Sequence, residues 1–231
     1  MNKPLIEDEL SLLTAWIDPA SHPSIIELGC GAAHLSRKLL LSHPGCAVTA
    51  LEVDERQHAK NLQNPAPGLR FVQAGAQAIP LADASFDAAI MLKSLHHVPL
   101  DLMDQALAQV HRVLRPGGLL YVSEPVFAGP LNEVMLLFHD EELVRAAAIA
   151  ALSRAVASGA WDQVVEQHFE MPVHYRDFAE FEQRMIAVTF VDHRLDSQTL
   201  AKVRERFEPH MTPTGAYFMR PMRVNLLCRQ G

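Results

Sequence analysis

The chain has 231 residues, enough for one sizeable core, and with 49% hydrophobic and 20% charged residues it is neither disordered nor fibrous in composition. A net charge of −7 disfavours a general nucleic-acid binder, because phosphate binding needs clustered Lys and Arg. No apolar run approaches the roughly 18 residues of a membrane-spanning helix, and the start, with Glu7, Asp8 and Glu9, lacks a signal peptide's basic region, so a cytoplasmic protein without membrane partners is expected.

In chain order, residues 5 to 17 have the apolar spacing of an amphipathic helix, and Pro19 and Pro23 break it. Ile25 to Leu28 reads as a buried strand ending at Gly29. A helix is expected from Ala32 to Leu41, a second strand over Ala47 to Glu52 and a polar helix from Asp54 to Leu62. The segment Asn64-Pro65-Ala66-Pro67-Gly68 is a loop by composition. Strands three and four fit Leu69 to Gln73 and Phe86 to Leu92. A helix capped by Asp101 carries an apolar stripe through Met103, Ala106, Leu107, Val110 and Leu114, and Pro116-Gly117-Gly118 leads into a fifth strand, Leu119 to Ser123.

After Glu124 the rhythm changes. Residues 131 to 158 read as helical, with further helices expected over Trp161 to His168, near Asp177 and near Ser197, and a last strand over Tyr217 to Cys228. This pattern predicts a Rossmann-like α/β fold: a doubly wound, mostly parallel sheet with helices on both faces and a helical insertion after the fifth strand. One domain is expected, with residues 1–124 as the N-terminal helix and cofactor-binding half, 125–175 as a helical cap, and 176–231 as C-terminal helices and the last strand.

The chemistry concentrates in Glu27-Leu28-Gly29-Cys30-Gly31-Ala32-Ala33, between a strand and a helix. Glycines there permit a sharp turn and close approach of a ligand, and the helix start offers free N–H groups. Glu52 ends the second strand, where a carboxylate can accept from both hydroxyls of a ribose. His34 occupies the place of the third glycine of a dinucleotide loop, and Glu27 is a poor neighbour for pyrophosphate but a good one for a cation. A NAD-type oxidoreductase is therefore disfavoured. Cys30, Cys46 and Cys228 form no disulfide framework or paired ligand spacing. The 12 histidines are scattered, so no metal is expected.

Glu27-Leu28-Gly29-Cys30-Gly31 resembles the first motif of the class I methyltransferases. Val48-Thr49-Ala50-Leu51-Glu52 is similar to the family's second-strand motif, and Ile79 to Asp87 to the stretch before its fourth strand. Ser94-Leu95-His96-His97-Val98 and Val113-Leu114-Arg115-Pro116-Gly117-Gly118 resemble the motifs that follow, so the likeness covers about residues 24 to 124. It implies S-adenosylmethionine as cofactor, S-adenosylhomocysteine as product, and methyl transfer to a small-molecule acceptor by in-line displacement. Glu27 would then meet the amino-acid end and Glu52 the ribose, with Gly29, Cys30, Gly31 and Val53 also binding the cofactor. Lys93 and Ser94 would form the cofactor floor through their backbone.

Two positions depart from the family. Ala33 replaces a frequent third glycine. Gly75 stands where an acid usually meets adenine, leaving that role to Gln77 or to the backbone around Ala76. For the acceptor, His97 is the candidate general base and His96 a pocket residue, while Glu124 ends the fifth strand near where an acceptor could approach. Tyr217 and Arg220 are candidates to clamp an acceptor carboxylate. The alternative is a non-catalytic protein of this fold that binds a nucleoside or a protein partner, which Gly75 and Ala33 keep open.

Overall fold

Short apolar runs bounded by Gly, Pro and Asn fold as parallel strands in the computed structural model, which describes residues 3–187 and 195–231. Strands β1 (Ser24–Leu28), β2 (Ala47–Glu52), β3 (Leu69–Gln73), β4 (Phe86–Leu92) and β5 (Leu114–Pro125) pair in parallel. β1 is buried at every position but its first, as a strand covered on both faces must be. The order β3-β2-β1-β4-β5 reverses direction at β1, and this reversal opens a crevice beyond the carboxyl ends of the strands. The sheet continues through β8 (Gly215–Arg229) to β6 (Trp161–Tyr175), and the short β7 (Met211–Thr212) runs antiparallel to β8.

Helix α1 (Glu9–Trp16) starts later than its apolar spacing suggested, because Asp8 accepts from the Leu10 N–H and caps it there. Helices α2 (His34–Ser42), α3 (Glu55–Leu62) and α4 (Met103–Val113) occupy the expected connections. The α4 stripe Met103, Ala106, Leu107, Val110 and Val113 is buried, with Ile26, Leu28, Met91 and Val122 of the sheet in the same core. β5 begins at Leu114, earlier than expected. Its register with β4 jumps from Phe86↔Leu114 to Ala88↔Leu119, so Arg115 to Gly118 bulge out of the ladder. Asp87 braces the bulge: it pairs with Arg115 and accepts from the Ser24 N–H at 2.9 Å.

Helices α5 (Pro130–Met135) and α6 (Glu142–Ala157) form the expected insertion, but the insertion is helical only as far as Ala157. The helix expected over Trp161 to His168 is the first half of β6, so residues 161–175 of the expected helical cap are strand. Helices α7 (Phe178–Phe181) and α8 (Ser197–Phe207) start behind the N-caps Asp177 and Asp196. Among the described residues no helix is long and apolar enough to cross a membrane.

The chain forms two compact units. The larger comprises Asp8–Glu124, Ala146–Gln167 and Arg223–Gly231; the smaller comprises Met1–Glu7, Pro125–Arg145 and His168–Met222. The larger is built on the β1–β5 sheet and its apolar core. The smaller has a separate core of Tyr175, Phe178, Phe181, Phe207 and Phe218 with Leu131 and Val134.

Candidate functional site

At the carboxyl end of β1 the chain turns through left-handed backbone at Gly29 (φ +72°) and Gly31 (φ +53°), conformations natural to glycine. A Cβ on Gly29 would lie 2.7 Å from the Ser94 Cβ, so a side chain is excluded by contact as well. A Cβ on Gly31 would meet nothing within 4 Å: the loop borders open space there. The Gly29 and Cys30 amides donate to the Leu51 carbonyl at 3.0 and 2.9 Å, and Ser94 Oγ donates to the Leu28 carbonyl at 2.7 Å. These bonds tie the loop to β2 and to the segment after β4. Ala33, the N-cap of α2, is itself left-handed at φ +55° and wholly buried. The third glycine of the family is thus replaced by an alanine that keeps a glycine's conformation.

Two carboxylates flank this loop. Glu27 is buried at the end of β1 and accepts from the Ser36 hydroxyl. Burial pushes its carboxyl up to about 7, against the Ser36 hydrogen bonds and the positive charge of Lys93, which lower it. Glu52 ends β2. Its two oxygens accept from the Gly31 and Asp54 N–H groups, both at 2.8 Å, so the acid is held at the loop before any ligand arrives. Val53 follows it, exposed. The Cys30 thiol is pushed far up by burial and by Glu27 and Glu52, which leaves it a neutral packing group in a small cluster with Ala33 and Ala50.

The departure at Gly75 has a local counterpart. An ideal Cβ there would stand 2.5 Å from Gln77 Oε1 and 2.7 Å from Nε2, so the Gln77 amide lies over the space that a side chain at 75 would use. Ala76 beside it is buried. Of the residues after β4, Lys93 is left-handed (φ +55°), and its N–H donates to the Ser123 carbonyl at 2.7 Å. His96 is buried and donates from Nδ1 to Glu124, whose other oxygen accepts the Leu95 N–H at 2.8 Å. His97 is exposed, with its ring 4.1 Å from that of His96. The structure therefore brings His96, His97 and Glu124 together.

Tyr217 and Arg220 belong to the smaller unit, on β8. Alternation along the strand exposes Tyr217 and Met219 and turns Phe218 and Arg220 the other way, so the two candidates do not form one clamp. Tyr217 packs on His174 with ring centroids 4.5 Å apart. Arg220 lines a small pocket with Val126, Leu131, Met135 and the buried Arg145. Arg145 donates to Asn132 at 3.0 Å and to Glu141.

Sequence reasoning did not single out Ser36, Asn61 or Glu9 in this region. Asn61 is buried in α3 and donates to the Gly31 carbonyl at 2.8 Å, pinning the loop from the far side. Its one signal is a polar residue on the inward side of a polar helix. Ser36 lies in the first turn of α2, and Glu9 belongs to the acidic start of the chain.

Residues 26–122 match the family described as "Methyltransferase domain". O-methyltransferase rstn1 of Aspergillus nomiae is 33% identical over 50% of this chain and 53% of its own length. The ubiquinone/menaquinone biosynthesis C-methyltransferase UbiE of Bartonella tribocorum is 31% identical over 46% of this chain and 43% of its own. The chain thus spans about half the length of these curated relatives. Among solved structures, the YcgJ protein of Bacillus subtilis superposes with a TM-score of 0.65 at 12% identity, covering 96% of this chain and 98% of that one, which is a likeness of fold. Residues 26–122 are thus similar to a methyltransferase domain, in line with the resemblance of the sequence motifs to the class I S-adenosylmethionine-dependent methyltransferases.

Proposed function

We propose that the protein is an S-adenosylmethionine-dependent methyltransferase acting on a small-molecule acceptor. The observation that carries the reading is the pair of buried acids, Glu27 and Glu52, held at the ends of neighbouring strands around a glycine loop. Both are suited to a nucleoside with a cationic tail, and Glu27 is ill suited to pyrophosphate. The cofactor supplies a methyl group on a sulfonium that is already a good leaving group. Glu27 receives the ammonium of its amino-acid end. Glu52, oriented by the Gly31 and Asp54 amides, has lone pairs left for ribose hydroxyls. Gln77, lying over Gly75, offers its amide to adenine in place of the family's acid.

Where the acceptor must lose a proton, His96 is the better placed base. Glu124 fixes its ring by accepting from Nδ1 and stabilises the imidazolium, as a carboxylate does behind a catalytic histidine. His97, exposed and with its ring tilted against that of His96, shapes the approach. A small acceptor is supported by the relatives' names, an O-methyltransferase and a quinone C-methyltransferase, and by the net charge of −7, which opposes a polyanionic substrate.

The test is calorimetric titration with S-adenosylmethionine, S-adenosylhomocysteine and NADH. Binding of both sulfur nucleosides in the micromolar range, on the order of −8 kcal/mol, is expected. Glu52→Ala should weaken it by about tenfold or more, since charged hydrogen bonds are worth about 1.5–3 kcal/mol. A folded protein that bound neither nucleoside, or bound NADH instead, would overturn the proposal.

A further inference from the structure

An ammonium group beside a pocket for a cationic ligand needs an explanation. Lys93 follows β4 next to the glycine loop, with its backbone left-handed and tied to β5 through the Ser123 carbonyl. Its positive charge favours the ionised carboxylate of Glu27. Left to itself, this lysine is an internal competitor for Glu27. It sits instead 3.2 Å from Oε2 of Glu9, in the first turn of α1. Glu9 is only 7% exposed, an unusual place for a helix-start acid, and the Tyr121 hydroxyl donates to its other oxygen at 3.4 Å. The Glu9 carboxylate is thereby fixed from α1 and from β5, on the side of Lys93 where the ion pair forms.

We propose that Glu9 is a positioning residue for the cofactor site: it holds the Lys93 ammonium away from Glu27, leaving that carboxyl to the ammonium of the incoming ligand. The inference rests on the methyltransferase reading. Glu9 also offsets the lysine's charge, so that a positive ligand enters a region of net negative charge. Removing the Glu9 charge frees Lys93 to pair with Glu27 and restores its field at the site. The loss that follows depends on Lys93 being cationic.

That dependence separates the idea from a packing role for Glu9 in α1. The experiment is titration of S-adenosylmethionine into the wild type, Glu9→Gln, Lys93→Met and the double variant, with thermal melts to establish that each is folded. Glu9→Gln should weaken binding by about tenfold, the scale of a partly screened charge pair. In the Lys93→Met background the same substitution should change affinity by less than about threefold, because no competing cation remains. Equal losses in both backgrounds, or no loss from Glu9→Gln alone, would overturn the inference while leaving the cofactor reading intact. A folded wild type that binds neither S-adenosylmethionine nor S-adenosylhomocysteine overturns both.

Discussion

At the scale of single residues, the acids of the glycine loop differ in a way that pH can read. Glu27 holds its proton more tightly in the folded protein than the usual carboxylate, up to about 7 from 4.5, because burial penalises its charge. Between those values the folded state binds more protons than the unfolded one, so stability must fall as pH rises through the window. The full loss is about 3 kcal/mol above the folded value. Urea melts of the wild type from pH 4.5 to 7.5 should show this decline, and Glu27→Gln should flatten it. A cationic ligand favours the ionised form, so its affinity should rise as pH rises through about 7, with proton release on binding. Titration in two buffers of different ionisation enthalpy measures that release, and its absence would mean Glu27 does not meet the ligand's charge. Glu27, Gly29, Gly31 and Glu52 were legible because a turn and two strand ends dictate their residue types locally. Ser36, Asn61 and Glu9 were not, since their roles arise from contacts across elements that no spacing rule connects.

Elements divide along a similar line. The first four strands were placed almost to the residue, because each is a short apolar run cut by Gly, Pro or a capping acid. Strand β6 was misread for a physical reason: Trp161, Val164, Val165 and His168 have the spacing of a helix face. In the structure the alternation is of period two, with Trp161, Val165 and Phe169 inward and Val164 54% exposed. Long exposed stretches of an outer strand carry little apolar signal, and the helix pattern wins by accident. Trp161 is the residue that anchors this strand. It is 2% exposed, sits in the core with Leu107, Val110 and Leu152, and meets the His111 ring edge-on at 5.2 Å. Trp161→Ala should cost about 3–5 kcal/mol by leaving a large cavity, and Trp161→Phe should cost much less. Chemical denaturation of the two variants decides it. If Trp161→Ala were nearly neutral, the strand would not be held through its indole.

Over the whole molecule, legibility follows the boundary between the units. Every candidate cofactor residue lies in the larger unit, within the span that resembles the family. The smaller unit, where acceptor recognition was sought in Tyr217 and Arg220, follows no motif, and strand alternation separates that pair. What the sequence did contain for the smaller unit is its aromatics, and these build its core. Phe181 is fully buried, with ring centroids 5.0 Å from Phe207, 5.2 Å from Tyr175 and 5.8 Å from Phe178. Such aromatic pairs add about 0.5–1.5 kcal/mol each beyond the area they bury. Phe181→Ala should therefore cost about 3–5 kcal/mol, with amide exchange accelerating first in α5, α8 and β7. The cofactor carboxylates and glycine loop belong to the larger unit, so S-adenosylmethionine affinity at low temperature should stay within about threefold of wild type. Hydrogen exchange and titration on the same variant test both halves. Loss of protection centred on β1, β2 and β4, together with loss of binding, would show that the aromatic cluster supports the cofactor half directly.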